Sequence, residues 1–229
     1  MKLSILIPVY NEIKTIEKII QKVKEQEIRK IQIIVVDDGS TDGTREFLKK
    51  SLFKKVDKII NNKKNKGKGA AIRSAQKKVI GDIVIIQDAD LEYDPKDYPA
   101  LLKPFSETDA DIVYGSRFFG GEYVRLHFFW HFLANKLLTF CSNIVTNLNM
   151  TDMETGYKVF KKTVIQSIDI KENSFGIEPE ITVKLAKKKY IFYEVPISYK
   201  GRSYNEGKKI TLKDAFVALY CIFKYRFFD

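Results

Sequence analysis

The sequence predicts an α/β protein built on a doubly wound, mostly parallel sheet, with amphipathic helices in its second half. Three observations carry this. Over roughly the first half of the chain, short apolar runs alternate with segments whose apolar positions recur at helical spacing, the β-α-β-α rhythm of such sheets. The runs Leu3–Val9, Ile31–Val36 and Ile83–Ile86 are almost continuously apolar, as expected of strands covered on both faces. The polar clusters D-D-G-S (37–40), K-G-K-G (66–69) and D-A-D (88–90) each follow a strand run, and ligands bind outside the carboxyl ends of open α/β sheets. These three loops should therefore meet in one crevice.

Taken in order, Leu3–Val9 reads as the first strand. Asn11 can cap a helix whose apolar residues Ile13, Ile16, Ile19, Ile20 and Val23 fall on one face. Ile31–Val36 is the second strand, followed by a short helix through Arg45–Lys50 and a strand near Val56–Ile60. The loop N-N-K-K-N-K-G-K-G leads into a helix from about Ala70 to Val79. The strand Ile83–Ile86 comes next, then a helix starting at Asp94-Pro95, then a strand at Asp111–Tyr114. After residue 120 the rhythm changes. Leu126–Asn147 reads as one long or two short helices, Glu178–Lys187 as a helix, Tyr190–Tyr199 as a strand and Thr211–Phe227 as a final aromatic-rich helix.

The 229 residues fit one domain with a sizeable core, and 45% hydrophobic with 30% charged residues is a globular composition. A net charge of +11 calls for anionic partners such as nucleic acid, phosphorylated ligands or an anionic membrane face, or reflects a lysine-rich solvated surface; charge alone does not choose. Cys141 and Cys221 lack metal-ligand spacing and fit a reducing cytoplasm. The apolar stretch before Pro8 is too short for a signal peptide. Leu126–Met150, with His127, His131, Asn135, Lys136 and Asn143, is too polar to span a bilayer.

The stretch G-D-I-V-I-I-Q-D-A-D-L-E crowds Asp88, Asp90 and Glu92 at the end of a buried strand. Close like charges raise one another's pKa unless a cation or strong donors compensate, so these residues either cap a turn or hold something positive. Two carboxylates flanking one small residue suit Mg²⁺ or Mn²⁺, hard ions that bridge to substrate phosphates. At Asp37 and Asp38 a carboxylate can accept from a ribose hydroxyl or a base N–H. Lys68, beside free N–H groups at a helix start, favours a phosphate. The glycines match neither the dinucleotide fingerprint nor the P-loop.

P-V-Y-N-E at 8–12, D-D-G-S at 37–40, G-K-G-A-A at 67–71, D-A-D at 88–90 and G-S-R at 115–117 together resemble an inverting family 2 glycosyltransferase with a GT-A fold. The later D-M-E-T-G-Y-K-V-F, E-P-E-I, Y-E-V-P-I-S-Y and G-R-S-Y-N-E-G-K-K extend the likeness to the dolichol-phosphate mannose synthase-like branch. The resemblance implies one domain over 1–229, with a nucleotide-sugar-binding half (1–120) and an acceptor- and membrane-facing half (121–229). It implies transfer from a nucleoside-diphosphate sugar, of GDP-mannose or UDP-glucose type, to a polyprenyl phosphate. Pro8, Tyr10, Glu12, Asp37 and Asp38 would bind the donor with Lys68 and Asp88. Asp88, Asp90 and Glu92 would hold Mg²⁺ or Mn²⁺. Asp90, Arg117 and Arg202 would be catalytic. Relatives often place an Arg in the helical segment after G-S-R; here His131 stands there, with Arg125 six residues earlier, so Arg125 or His131 would meet the acceptor phosphate together with Arg202.

A lipid phosphate already carries a negative oxygen and needs placement rather than a strong base. An acceptor hydroxyl would need one, and Glu154, Glu178 and Glu180 are then the carboxylates to test. Phe128, Phe129, Trp130, Phe132, Leu133, Leu137 and Leu138, with few acids nearby, suit a helix lying among lipid headgroups. The expected location is cytoplasmic, peripheral on the cytoplasmic face of the membrane, directly or through a membrane-anchoring partner. Nucleic acid is not an expected partner, because the D-D and D-A-D loops would repel its backbone.

Overall fold

The protein is described from a computed structural model covering residues 1–119, 129–202 and 212–229. The apolar run at the N-terminus forms β1 (Leu3–Val9) in the interior of the sheet, with Leu3, Ile5, Leu6 and Ile7 fully buried. It pairs in parallel with β2 (Ile31–Asp37) on one side and β4 (Ile83–Ile86) on the other. β3 (Lys58–Asn61) lies parallel to β2 at one edge. Beyond β4 the direction changes: β6 (Lys158–Lys161) runs antiparallel between β4 and β5 (Ile112–Ser116), and β7 (Phe192–Pro196) closes the other edge parallel to β5. The seven strands stand in the order β3-β2-β1-β4-β6-β5-β7. Strand order reverses between β1 and β4, so the loops leaving β1, β2 and β4 open onto one switch-point crevice.

Helices cover both faces. α1 (Ile16–Lys24), the helical segment α2 (Thr44–Phe47) with its continuation Leu48–Leu52, and α4 (Tyr98–Leu102) pack against Ile5, Ile7, Ile33, Val35 and Ile85. α3 (Lys68–Gln76), α6 (Phe129–Thr146), α7 (Lys162–Gln166), α8 (Ile177–Lys187) and α9 (Leu212–Phe227) pack against Leu6, Ile34, Val36, Val84 and Ile86. Successive strand residues thus feed opposite cores, which is why the strands read as unbroken apolar runs. A short α5 (Pro104–Glu107) precedes β5.

Several boundaries differ from the sequence reading. Asn11 does not cap α1, which starts at Ile16. Asn11 adopts a left-handed conformation (φ 54°) that its short polar side chain tolerates. Its Oδ1 accepts from Thr41 N–H at 2.8 Å and its own N–H donates to Ser40 Oγ at 3.0 Å, tying the exit of β1 to the D-D-G-S loop. Asp94-Pro95 opens a 3₁₀ turn, Pro95–Asp97, before α4 begins. The start expected for the long helix at Leu126 lies outside the described residues, as do His127 and Phe128. β6 and α7 were not expected at all. β6 is short, and its first residue, Lys158, is a charged side chain that is fully buried.

Candidate active site

Three loops meet as expected. Asp38 Oδ2 accepts from the N–H groups of Lys66 (2.9 Å) and Gly67 (2.5 Å), and its Oδ1 accepts from Asn62 Nδ2 at 2.6 Å. The D-D-G-S loop thereby shapes the loop that launches α3. Gly67, at φ 98°, takes a conformation that side-chain-bearing residues rarely adopt. Asp37 is fully buried, with Oδ2 accepting from Arg45 Nε at 2.7 Å and Oδ1 from Ser40 N–H at 3.2 Å. Both aspartates are thus occupied in holding the loops that frame the crevice. Pro8, near the end of β1, and Tyr10, just beyond it, are partly exposed beside them.

At α3, Lys68 Nζ lies 2.9 Å from Asp88 Oδ1 and 3.0 Å from Glu178 Oε1, and Glu178 Oε2 lies 2.6 Å from Lys158 Nζ. Burial pulls the Lys68 pKa down, but the Asp88 and Glu178 carboxylates outweigh it and hold the ammonium well above the usual lysine range. Lys158 is satisfied by the carbonyls of Met153 (2.9 Å) and Thr155 as well as by Glu178. A charge chain therefore runs from the D-A-D loop into the protein, with cations and anions alternating.

The D-A-D loop is fixed from behind. Gln87, fully buried, accepts from the hydroxyls of Tyr98 (2.8 Å) and Tyr157 (2.7 Å) and donates to the carbonyls of Asp88 (3.0 Å) and Tyr93 (3.3 Å). Leu91, between Asp90 and Glu92, sits at φ 65°, a strained conformation for a branched side chain and one that collects at functional sites. Arg202 Nη2 lies 3.1 Å from Glu12 Oε1 and 3.2 Å from Asp90 Oδ2, and its Nε lies 3.5 Å from Glu92 Oε1. Both Glu92 oxygens are engaged, Oε1 by Arg202 N–H (2.8 Å) and Oε2 by the Tyr199 hydroxyl (2.7 Å). Burial, and then the Asp88 and Glu92 charges, push the Asp90 pKa up to about 7 against the pull of Arg202.

On the other side of Tyr199, its ring lies 5.1 Å from the Arg117 guanidinium. Arg117 makes a two-pronged pair with Asp152, Nε at 2.7 Å and Nη2 at 2.6 Å, and its backbone N–H reaches the same carboxylate at 3.0 Å. Glu194 holds the partner in place by accepting from the N–H groups of Thr151 (2.8 Å) and Asp152 (3.1 Å). His131 lies at the start of α6, one turn before Asn135, whose Oδ1 is 3.5 Å from Arg117 Nη2. Arg125 lies outside the described residues.

The site thus gathers Glu12, Lys68, Asp88, Asp90, Glu92, Arg117 and Arg202. Sequence reasoning missed Lys158, Asp152 and Glu194, which hold these groups in place. All three lie in motifs that carry the resemblance, D-M-E-T-G-Y-K-V-F and Y-E-V-P-I-S-Y, which were the available signal. Glu180 is committed elsewhere, accepting from Lys171 N–H (2.6 Å), Glu172 N–H (2.8 Å) and Lys184 Nζ (2.7 Å). Among the described residues no three His, Cys, Asp or Glu side chains form a ready-made metal cluster. Asp88 and Asp90 are partly exposed pairs of hard oxygens, and Mg²⁺-type ions are usually held by one or two carboxylates plus substrate phosphates, so the donor set fits.

Comparison with known proteins bears on the family and the fold. The family described as Glycosyl transferase family 2 matches residues 4–168. A Pyrococcus furiosus protein named dolichol-phosphate mannosyltransferase is 29% identical over 91% of this chain, which spans 59% of that protein's length. Glycosyltransferase AglJ of Haloferax volcanii is 30% identical over 86% of this chain, which spans 63% of its length. Glucosyl-3-phosphoglycerate synthase from Mycobacterium tuberculosis, solved with Mn²⁺, UDP and phosphoglyceric acid, superposes with a TM-score of 0.75 at 17% identity, over 100% of this chain and 79% of that one. That likeness is one of fold.

Proposed function

The chain belongs to glycosyl transferase family 2, with a GT-A fold, and from that premise we propose that it transfers a sugar from a nucleoside-diphosphate donor to a polyprenyl or dolichyl phosphate with inversion. The observation that carries this reading is a crevice with a carboxylate pair on one wall and two arginines beside it, joined by Tyr199, which bonds Glu92 and underlies Arg117. The relative named dolichol-phosphate mannosyltransferase supports the acceptor class. The donor is of GDP-mannose or UDP-glucose type.

In this reading Asp88 and Asp90 hold the divalent ion, Mg²⁺ or Mn²⁺. Glu92, whose oxygens accept from Arg202 N–H and the Tyr199 hydroxyl, stands beside them as the third carboxylate of the expected set. The bound ion would neutralise the diphosphate as it leaves. Lys68, at the N-terminal end of α3, adds positive charge on the diphosphate side. Pro8, Tyr10 and Glu12 line the nucleoside side, with Asp37 and Asp38 shaping the loops behind them. Arg117 and Arg202 receive the acceptor phosphate, which attacks the anomeric carbon without giving up a proton. Fixed positive charge around the departing diphosphate is the kind of stabilisation that usually dominates such sites.

The acceptor is a membrane lipid, and the outer helices fit a membrane surface. Trp130, Leu133, Leu137, Phe140 and Ile144 form an exposed stripe along α6. α9 packs beside α6 and adds exposed Phe216, Tyr220, Phe223 and Phe227. α6 contains no acidic residue, and the last turn of α9 carries Lys224 and Arg226. No described helix is long and apolar enough to cross a membrane. We propose that the protein sits peripherally on the cytoplasmic face, held by this surface or by an anchoring partner.

The test is direct transfer with purified protein, Mn²⁺ or Mg²⁺, a short polyprenyl phosphate and a panel of labelled nucleotide sugars. Label should enter the organic phase with one donor and stop on adding chelator. Transfer only to a free hydroxyl would overturn the acceptor assignment, and transfer unaffected by chelator would overturn the metal assignment.

A further inference from the structure

The turn D-M-E-T-G at 152–156 touches both halves of the site. Asp152 holds Arg117. At the other end, Gly156 leaves no room for a side chain: a Cβ there would lie 2.5 Å from Asp88 Oδ2, and its N–H donates to the Tyr93 hydroxyl at 2.8 Å. From beneath, buried Lys158 binds the carbonyls of Met153 and Thr155. Between these three fixed points stands Glu154. The residue is partly exposed, but its Oε1 is buried and has no hydrogen-bond partner among the described residues. A buried carboxylate oxygen in a native structure normally accepts a bond, and the described residues supply none to this one, while the rest of the side chain keeps some exposure.

We infer that Glu154 is an acceptor-binding residue whose carboxyl hydrogen-bonds a non-bridging oxygen of the acceptor phosphomonoester, beside Arg117. The inference rests on the lipid-phosphate reading above and deepens it. The charges that face the carboxyl are Glu178 from α8, Lys158 from β6, Arg117 from the end of β5 and Asp152 from its own turn. Burial, followed by the Glu178 carboxylate, pushes its pKa up to about 7 against the pull of Lys158 and Arg117. Below neutrality it therefore carries a proton, and at about pH 7 the acid and the carboxylate coexist. As an acid it offers an O–H to the phosphate; as a carboxylate it would repel that phosphate. No proton is needed from the acceptor. A bond forms between the phosphate oxygen and the anomeric carbon. The bond from that carbon to the donor diphosphate breaks, and its electron pair leaves with the nucleoside diphosphate. An acceptor hydroxyl would need the opposite state, an ionised Glu154 taking the hydroxyl proton.

The two states are separable by titrating farnesyl phosphate into the wild type, Glu154→Gln and Glu154→Ala by calorimetry between pH 6 and pH 8, with Mn²⁺ and no nucleotide sugar. Thermal melts establish that each variant is folded. Farnesyl phosphate itself titrates over this range, so the quantity read is the ratio of wild-type to Glu154→Gln Kd, in which that effect cancels. The amide keeps an N–H donor at every pH, while the carboxyl loses its proton through about 7. The ratio should therefore rise roughly tenfold from pH 6 to pH 8. Glu154→Ala, with no donor, should bind more weakly than Glu154→Gln throughout. A ratio that stays constant with pH overturns this role for Glu154 while leaving the lipid-phosphate reading intact. Failure of farnesyl phosphate to bind any of the proteins, with transfer to farnesol that is lost in Glu154→Gln, overturns both and makes Glu154 the base.

Discussion

Arg117 and Asp152 are a pair in which neither member stands alone. Their side chains are 10% and 0% exposed, and removing one leaves the other buried and unmatched. Asp152→Ala should cost about 3–5 kcal/mol in a denaturant melt, with transfer falling as Arg117 loses its two-pronged hold. Asp90→Asn differs in kind. It keeps the volume and relieves crowding with Asp88 and Glu92, so the fold should survive while turnover drops roughly 10²–10³-fold at saturating Mn²⁺. Circular dichroism and initial rates, measured together, separate the two behaviours. Glu154 makes a third case, legible in pH. Its pKa is raised from the usual carboxylate value to about 7, so the fold is favoured with the proton on. The corresponding stability is fully present below the ordinary carboxylate range and is lost as pH rises through about 7. Glu154→Gln, which carries no such linkage, should gain in Tm relative to the wild type between pH 5 and pH 8. An equal pH dependence of Tm in both proteins would contradict the assignment. Asp88, Asp90, Arg117 and Arg202 were legible in the sequence because each sits in a short motif at a strand or loop end. Asp152 and Glu194 were not, because what they do depends on pairings 35 to 43 residues away in the chain.

Among the elements, the first half of the sheet was legible because β1, β2 and β4 are buried on both faces and carry unbroken apolar runs. In the second half β5 and β7 were read from the sequence, but β6 was not. β6 enters antiparallel, and Lys158 sits at its start. That lysine lies in the interior because Glu178 and two carbonyls replace its hydration, a compensation that no local pattern reveals. The turn before β6 offers a test of how tightly elements fix the chemistry. Gly156→Ala would press a methyl group toward Asp88 Oδ2 and the Tyr93 ring, at 2.5 and 2.8 Å. The Tyr93 ring is buried against Tyr157 and gives little, so the carboxylate of Asp88 must move. A displacement of that size at a reacting group costs on the order of 10²-fold in rate. Turnover of Gly156→Ala should therefore fall by about that factor, with the overpacking penalty on stability limited to about 1–3 kcal/mol. A large loss of stability with unchanged kcat would show the turn to be scaffold only.

For the molecule as a whole, the helices after residue 120 are arranged unequally. α8 is buried along nearly its whole length, whereas α6 and α9 each turn one face inward and leave an aromatic and aliphatic stripe outside. Leu138, Val145, Ala218 and Ile222 supply the buried side, so the outward stripe is surplus to the core. α6 and α9 lie side by side, so their exposed apolar stripes stand on neighbouring helices, with Lys224 and Arg226 in the last turn of α9. If that surface meets lipid, Phe140 and Ile144 each gain about 1.5–3 kcal/mol by leaving water. Changing both to glutamate should therefore remove at least ~3 kcal/mol of binding, about two decades in the partition coefficient onto vesicles of mixed phosphatidylcholine and phosphatidylglycerol. Neither side chain contributes to the buried core, so the thermal melt should stay close to that of the wild type. Sedimentation velocity on the same pair of proteins tests the competing occupant, a second copy of the chain. A wild-type dimer that the double change turns into monomer, with vesicle binding weak in both, would assign the face to self-association and leave the lipid substrate to be delivered by another protein.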